Sequence, residues 1–172
     1  MVGCAGPAPN YSPSIANVEL LKKEGLETMR VGQVGAMSGM SGAESMSLRA
    51  NSMVSPVGSN YGDYLAAALR QELDLAKLLN PRSDVEVSGV LVKNNIDAGG
   101  ISTSEGQIEA RFIVKRLDQI KYDKVKKAEH KWDSSFVGGV AIPLAVNNYP
   151  VMVQKLLNGL FSDSDFIAAT KK

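Results

Sequence analysis

One cysteine and one histidine are all the sequence holds of the two side chains best suited to zinc, which excludes an internal disulfide and any cysteine-based zinc site. No dense acidic cluster of the kind a calcium loop needs is present either, so no metal and no cofactor is expected. Charge of one sign is not in excess. The formal net charge of +1 gives no global drive toward nucleic acid, and binding to any polyanion would need a local patch. Long apolar runs are missing as well: no stretch reaches the 18 residues that would predict a bilayer-spanning helix.

What is there suits a folded chain. With 44% hydrophobic and 22% charged residues the composition lies far from that of disorder, and 172 residues suffice to bury roughly 70% of the unfolded surface. Residues 5–14 carry no charge and no period, being Gly, Pro, Ala, Asn, Tyr and Ser, and read as a flexible tether. Residues 15–172 read as one α+β domain. In "SIANVELLKKEGL" Asn17 is the expected cap of a short helix and Gly25 its stop. "ETMRVGQV" predicts a strand running into a glycine-rich stretch, residues 32–42, which lacks the Gly-Lys-Ser/Thr of a phosphate loop and reads as a hairpin or loop.

"SNYGDYLAAALRQELDLAKLLNPRSD" predicts an amphipathic helix closed by Asn80 and Pro81, with Leu65, Ala68, Leu69, Leu73, Ala76 and Leu79 inward and Arg70, Gln71, Glu72 and Asp74 on a mixed polar face. Three strands follow. Val85, Val87 and Leu91 share one face, and Ile108, Ala110, Phe112 and Val114 share another, against Glu109, Arg111 and Lys115. A second long helix carries Ile142, Val146, Tyr149, Val153, Leu156, Leu157 and Leu160, with Pro143 suited to its first turn and Pro150 expected to kink or divide it around residues 147–149. The predicted architecture is a mostly antiparallel sheet of four to five strands with two long helices packed on one face.

Chemistry is sparse. The one histidine, His130, stands near Trp132 and Ser134, which together form a candidate ligand niche or the core of a small periplasmic enzyme; the bland reading is a surface or cross-strand histidine. No G-x-S-x-G elbow accompanies it, and no catalytic residue is assigned. Asp163 and Asp165 sit where acids stabilise a helix start. Residues 115–131 hold seven basic side chains against three acids. Within them Lys121, Lys124, Lys126, Lys127 and Lys131 form a candidate contact surface for anionic lipid or an acidic envelope protein, or else a solvated edge that discourages sheet pairing. Without interleaved aromatics, nucleic acid is not expected.

Val2, Gly3 and Cys4 resemble the end of a bacterial lipobox, whose apolar signal segment would precede Met1. "NVELLKKEGLETMRVGQV", "YLAAALRQELDLAKLL" and "WDSSFVGGVAIPLAVNNYPVMVQKLLNGLFSDSDF" resemble a family of small, largely uncharacterised Gram-negative lipoproteins, over most of residues 17–168. At the level of fold the chain is also similar to the lipopolysaccharide-assembly lipoprotein LptE and the amino-terminal domain of TolB, without a diagnostic motif of either. The resemblance implies acyl chains on Cys4, anchoring at the periplasmic face of the outer membrane, since Ala5 rather than Asp follows the cysteine, and a non-catalytic binding or envelope-assembly role. It leaves open an accessory subunit of a secretion or transport complex. Oligomeric state is not legible.

Overall fold

A computed structural model describes residues 5–172, so Cys4 lies outside the described residues. The elements run β1 (Ala5–Pro7), α1 (Ile15–Lys23), β2 (Arg30–Ala36), β3 (Ser45–Leu48), β4 (Asn51–Val54), α2 (Tyr61–Leu75), β5 (Val85–Asp97), β6 (Thr103–Arg116), β7 (Gln119–Asp133), α3 (Gly138–Phe161) and α4 (Ser164–Thr170). The fold is α+β, as the pattern predicts. The main sheet has four strands in the order β2-β5-β6-β7, antiparallel except where β2 lies parallel to β5. A small second sheet, β1-β4-β3, was not expected.

Alternation explains the main sheet. Ile108, Ala110, Phe112 and Val114 are all fully buried on one face of β6, each side chain larger than alanine contributing about 1.5–3 kcal/mol. Their neighbours Val85, Val87 and Leu91 on β5 and Tyr122, Ala128 and Trp132 on β7 complete that face, which α2 covers toward β2 and α3 covers toward β7. A register shift after Leu91 reverses the parity of β5, so that Asn94 and Ile96 point inward in place of Lys93. The β6–β7 hairpin turns through Leu117 and Asp118, both at positive φ, the backbone that a tight two-residue connection needs.

Helix ends depart from expectation in three places. Ser14 caps α1 and Asn17 is buried one turn inside it. The second helix stops at Leu75, where Lys77 takes a φ of +62°, rather than at Asn80. Pro150 does not divide α3, which is continuous from Gly138 to Phe161, and Pro143 falls beyond its first turn. Each proline removes a backbone bond at a cost of about 3 kcal/mol. Full burial of Val153, Leu156, Leu157 and Leu160, with Tyr149 1% exposed, offsets it.

The largest correction concerns residues 5–14, which are strapped to the body and not a tether. Ala5, Gly6 and Pro7 pair with Ser52, Met53 and Val54. Beyond them, Ala8 N donates to Val54 O (2.8 Å), Tyr64 Oη donates to Pro9 O (3.0 Å) and Gln154 Nε2 donates to Ser12 O (2.8 Å). Tyr11 is buried, its ring edge-on to Tyr64, and its hydroxyl donates to Glu72 Oε1 at 2.5 Å. Three prolines among ten residues lower the entropy lost on ordering the strap, which an uncharged, aperiodic composition does not reveal.

Candidate functional site

The lysine hairpin is the surface that the sequence singles out. Strand alternation sends its cations to two different faces, and four of the five already have acids. Lys124 and Lys126 point toward the helices, where Lys126 Nζ meets Asp163 Oδ2 at 2.9 Å and Lys124 Nζ meets Asp165 Oδ2 at 2.7 Å. On the opposite face Lys127 pairs with Glu129 (2.7 Å) and Lys131 with Glu105 (3.1 Å). Lys121 donates to Gln119. The local positive excess is therefore largely compensated, partly by acids more than 30 residues away that a count along the hairpin cannot include.

Asp163 is the hub of this arrangement. It caps α4 by accepting from Asp165 N (2.9 Å) and also accepts from Tyr122 Oη (3.1 Å), with its side chain only 8% exposed. Burial alone would raise its carboxyl, but Lys126, the Asp165 N–H and Tyr122 outweigh it and hold the group well below the usual carboxylate range. A depressed folded value stabilises the protein fully above the unfolded value near 3.9 and ceases to do so as pH falls through the folded value. Asp163→Asn should lower stability at pH 7 by about 1–3 kcal/mol and flatten the acid limb of stability below pH 4, both read by urea unfolding. An acid limb as steep as the parent's would rule out this role.

His130 and Trp132 share one face of β7, and Ser134 lies just past its last residue, Asp133; the three assemble no catalytic group. His130 and Ser134 are separated by four residues of mostly extended chain, roughly 13 Å. Both ring nitrogens of the histidine are engaged, Nε2 with Asn148 Oδ1 (2.8 Å) and Nδ1 with Lys155 Nζ (2.9 Å). Since Lys155 can only donate, Nδ1 accepts and Nε2 carries the proton. Asn148 in turn donates to Leu144 O, which fixes its amide. The unit is a cross-strand-to-helix brace, with Trp132 packed at 5.6 Å on the imidazole. Ser134 Oγ and Trp132 Nε1 are buried without partners among the described residues.

The glycine-rich stretch divides between the end of β2 and a loop leading to β3. It opens no helix.

A different group of residues stands out at the end of the molecule where β1 and α3 begin. Arg49 occupies the β3–β4 turn at a φ of +58° and donates to four carbonyls from two segments. Nε reaches Ala98 O (2.7 Å), Nη2 reaches Gly100 O (3.3 Å) and Ser135 O (2.8 Å), and Nη1 reaches Phe136 O (2.9 Å). This rivet holds the β5–β6 loop beside the β7–α3 connection. Apolar side chains on both segments and on the first turn of α3 face solvent: Phe136 is 78% exposed, Ile101 71%, Val137 59% and Val140 49%. Phe136 is the most exposed large apolar side chain among the described residues.

Beside this collar lies a cleft of about 260 Å³ between the small sheet and the first turns of α3. Ala5, Gly6 and Pro7 form one wall, Leu48 and Met53 its floor, and Ile142 and Val146 the other wall. The helical period assigns Ile142 and Val146 to the core, but both are only partly buried, whereas Tyr149, Val153, Leu156, Leu157 and Leu160 of the same stripe are enclosed. Asn51 and Ser52 also line the cleft, but no ionisable side chain does, and the lining is mostly apolar.

No family model matches the chain, and no curated protein does. Among solved structures the fold is similar to protein XCC0632 from Xanthomonas campestris, described under the family model DUF330, at a TM-score of 0.58 and 14% identity over 90% of this chain and 92% of that one. It is also similar to the hypothetical protein CT253 from Chlamydia trachomatis, at a TM-score of 0.54 and 10% identity over 84% of this chain and 99% of that one. At these identities the likeness is one of fold.

Proposed function

We propose that this protein is a lipid-anchored, non-catalytic binding module at the periplasmic face of the outer membrane, attached through Cys4. One observation supports the reading: Ala5, the residue that follows Cys4 in the sequence, is already paired into the body and lines a mostly apolar cleft. An acyl anchor there would join the folded body with no leash between. Val2 and Gly3 before the cysteine and Ala5 after it suit processing and outer-membrane sorting. We put the working surface at the apolar end and not on the lysine hairpin, whose Lys124, Lys126, Lys127 and Lys131 already hold acids. Several acyl chains at about 0.8 kcal/mol per buried CH₂ give an anchorage that one chain does not.

Expression of the full precursor in a Gram-negative host fed labelled palmitate tests this. Label should enter the protein, and Cys4→Ala should abolish it and move the protein from the membrane to the soluble fraction. An unlabelled, soluble parent would end the reading.

A further inference from the structure

We infer that the end of the molecule bearing the collar lies directly on a phospholipid bilayer, with Phe136, Val137, Val140 and Ile101 at the headgroup–acyl boundary. The orientation rests on the anchor reading above; the collar itself rests on its own geometry. Four large apolar side chains exposed at one end are more than the scattered singles expected on a soluble surface. Two of the segments that carry them are pinned together through one guanidinium, so they are displayed by a fixed scaffold. The described chain enters β1 at the mouth of the adjoining cleft, so an anchor on Cys4 would hold this end, and no other, against the membrane. With the strap fixed along residues 5–14, the body cannot swing away on a tether.

The occupant follows from the chemistry. Arg49 is spent on backbone carbonyls and the exposed acids nearby are Asp97 and Asp133, so the collar offers apolar contact and no cationic attraction. Binding should therefore depend on acyl chains, weakly on salt, and little on the proportion of anionic lipid.

The test uses the full chain carrying Cys4→Ser, which removes the anchor, and vesicles of phosphatidylethanolamine and phosphatidylglycerol (about 3:1) with brominated acyl chains. In a Trp132→Phe background, a Phe136→Trp probe should shift blue and be quenched by bromine, while a Val125→Trp probe on the far face of the sheet should not. The combined Phe136→Ser, Val137→Ser and Val140→Ser variant should partition into vesicles at least tenfold less while keeping the parent's melting curve, since all three positions are exposed. Equal quenching of the two probes, or an unchanged partition of the serine variant, would overturn the inference. So would binding that needs anionic lipid and vanishes in salt. Vesicle insertion without palmitate labelling of the parent would remove the anchor and leave the collar; labelling without insertion would do the reverse.

Discussion

Glu72→Ala should be among the most damaging single substitutions in this chain, at about 2–4 kcal/mol of unfolding free energy. Glu72 is fully buried in α2, and three donors converge on its Oε1: the Tyr11 hydroxyl at 2.5 Å, Ser14 N at 2.9 Å and Asn17 Nδ2 at 3.2 Å. Truncation strands the buried Tyr11 hydroxyl and deprives the part-buried Ser14 N of its acceptor, at about 1–3 kcal/mol for each group so affected, whereas Asn17 Nδ2 keeps Gln154 O at 3.1 Å. Burial and then the bond to Glu72 push the Tyr11 hydroxyl well above its ordinary range, which keeps it a donor at any working pH. Glu72→Gln retains the volume and one acceptor oxygen, and should cost less, about 1–2 kcal/mol, because its amide places new donors where Oε2 has no partner.

The loss should also be local. The carboxylate is the common fastening of the strap and the first turn of α1, so hydrogen exchange at residues 8–14 should accelerate before that of β6 does. Urea unfolding and exchange together decide the matter. A Glu72→Ala protein within about 0.5 kcal/mol of the parent, with the strap still protected, would show that the strand pairing of β1 holds this segment without the carboxylate.

Glu72 also marks how far the sequence could be read. The helix of which it is part is legible from Leu65, Ala68, Leu69 and Leu73, and the face of β6 from strict alternation, because both are local periodicities with one buried side. The same period places Glu72 seven residues after Leu65, three after Leu69 and four before Ala76, on the buried stripe; assigning it to the polar face by residue type overrode that signal. The strap had no comparable signal, since its partners lie about 40 to 140 residues away. The compensation of the lysines by Asp163 and Asp165, and the inward turn of Asn94 behind a bulge, are likewise products of long-range packing. The collar was obscured for the opposite reason: Phe136 and Val137 look like core residues, and composition does not tell an apolar side chain that packs from one left in solvent.

The same contrast makes Arg49 the second position where a large effect is expected. Arg49→Met keeps most of the apolar stem but removes bonds to four carbonyls, and hydrogen bonds to a charged group contribute about 1.5–3 kcal/mol each when taken singly. Because the four share one group they do not add, and a net loss of about 2–4 kcal/mol is expected. Arg49→Lys should not restore it, since a compact ammonium cannot span carbonyls on two segments as a planar fork does. Arg49→Gly separates backbone from side chain. It relieves the cost of a φ of +58°, about 1 kcal/mol, and should fall between the parent and the methionine variant. Exchange rates in residues 98–102 and 134–137 should rise in all three variants while those of the central strands hold. If the rivet positions the collar, vesicle partition should fall with them even though no collar side chain has changed. Full protection of both segments in Arg49→Met would mean that the backbone contact of Ser134 N with Ser102 O already suffices, and that the left-handed arginine serves only the turn.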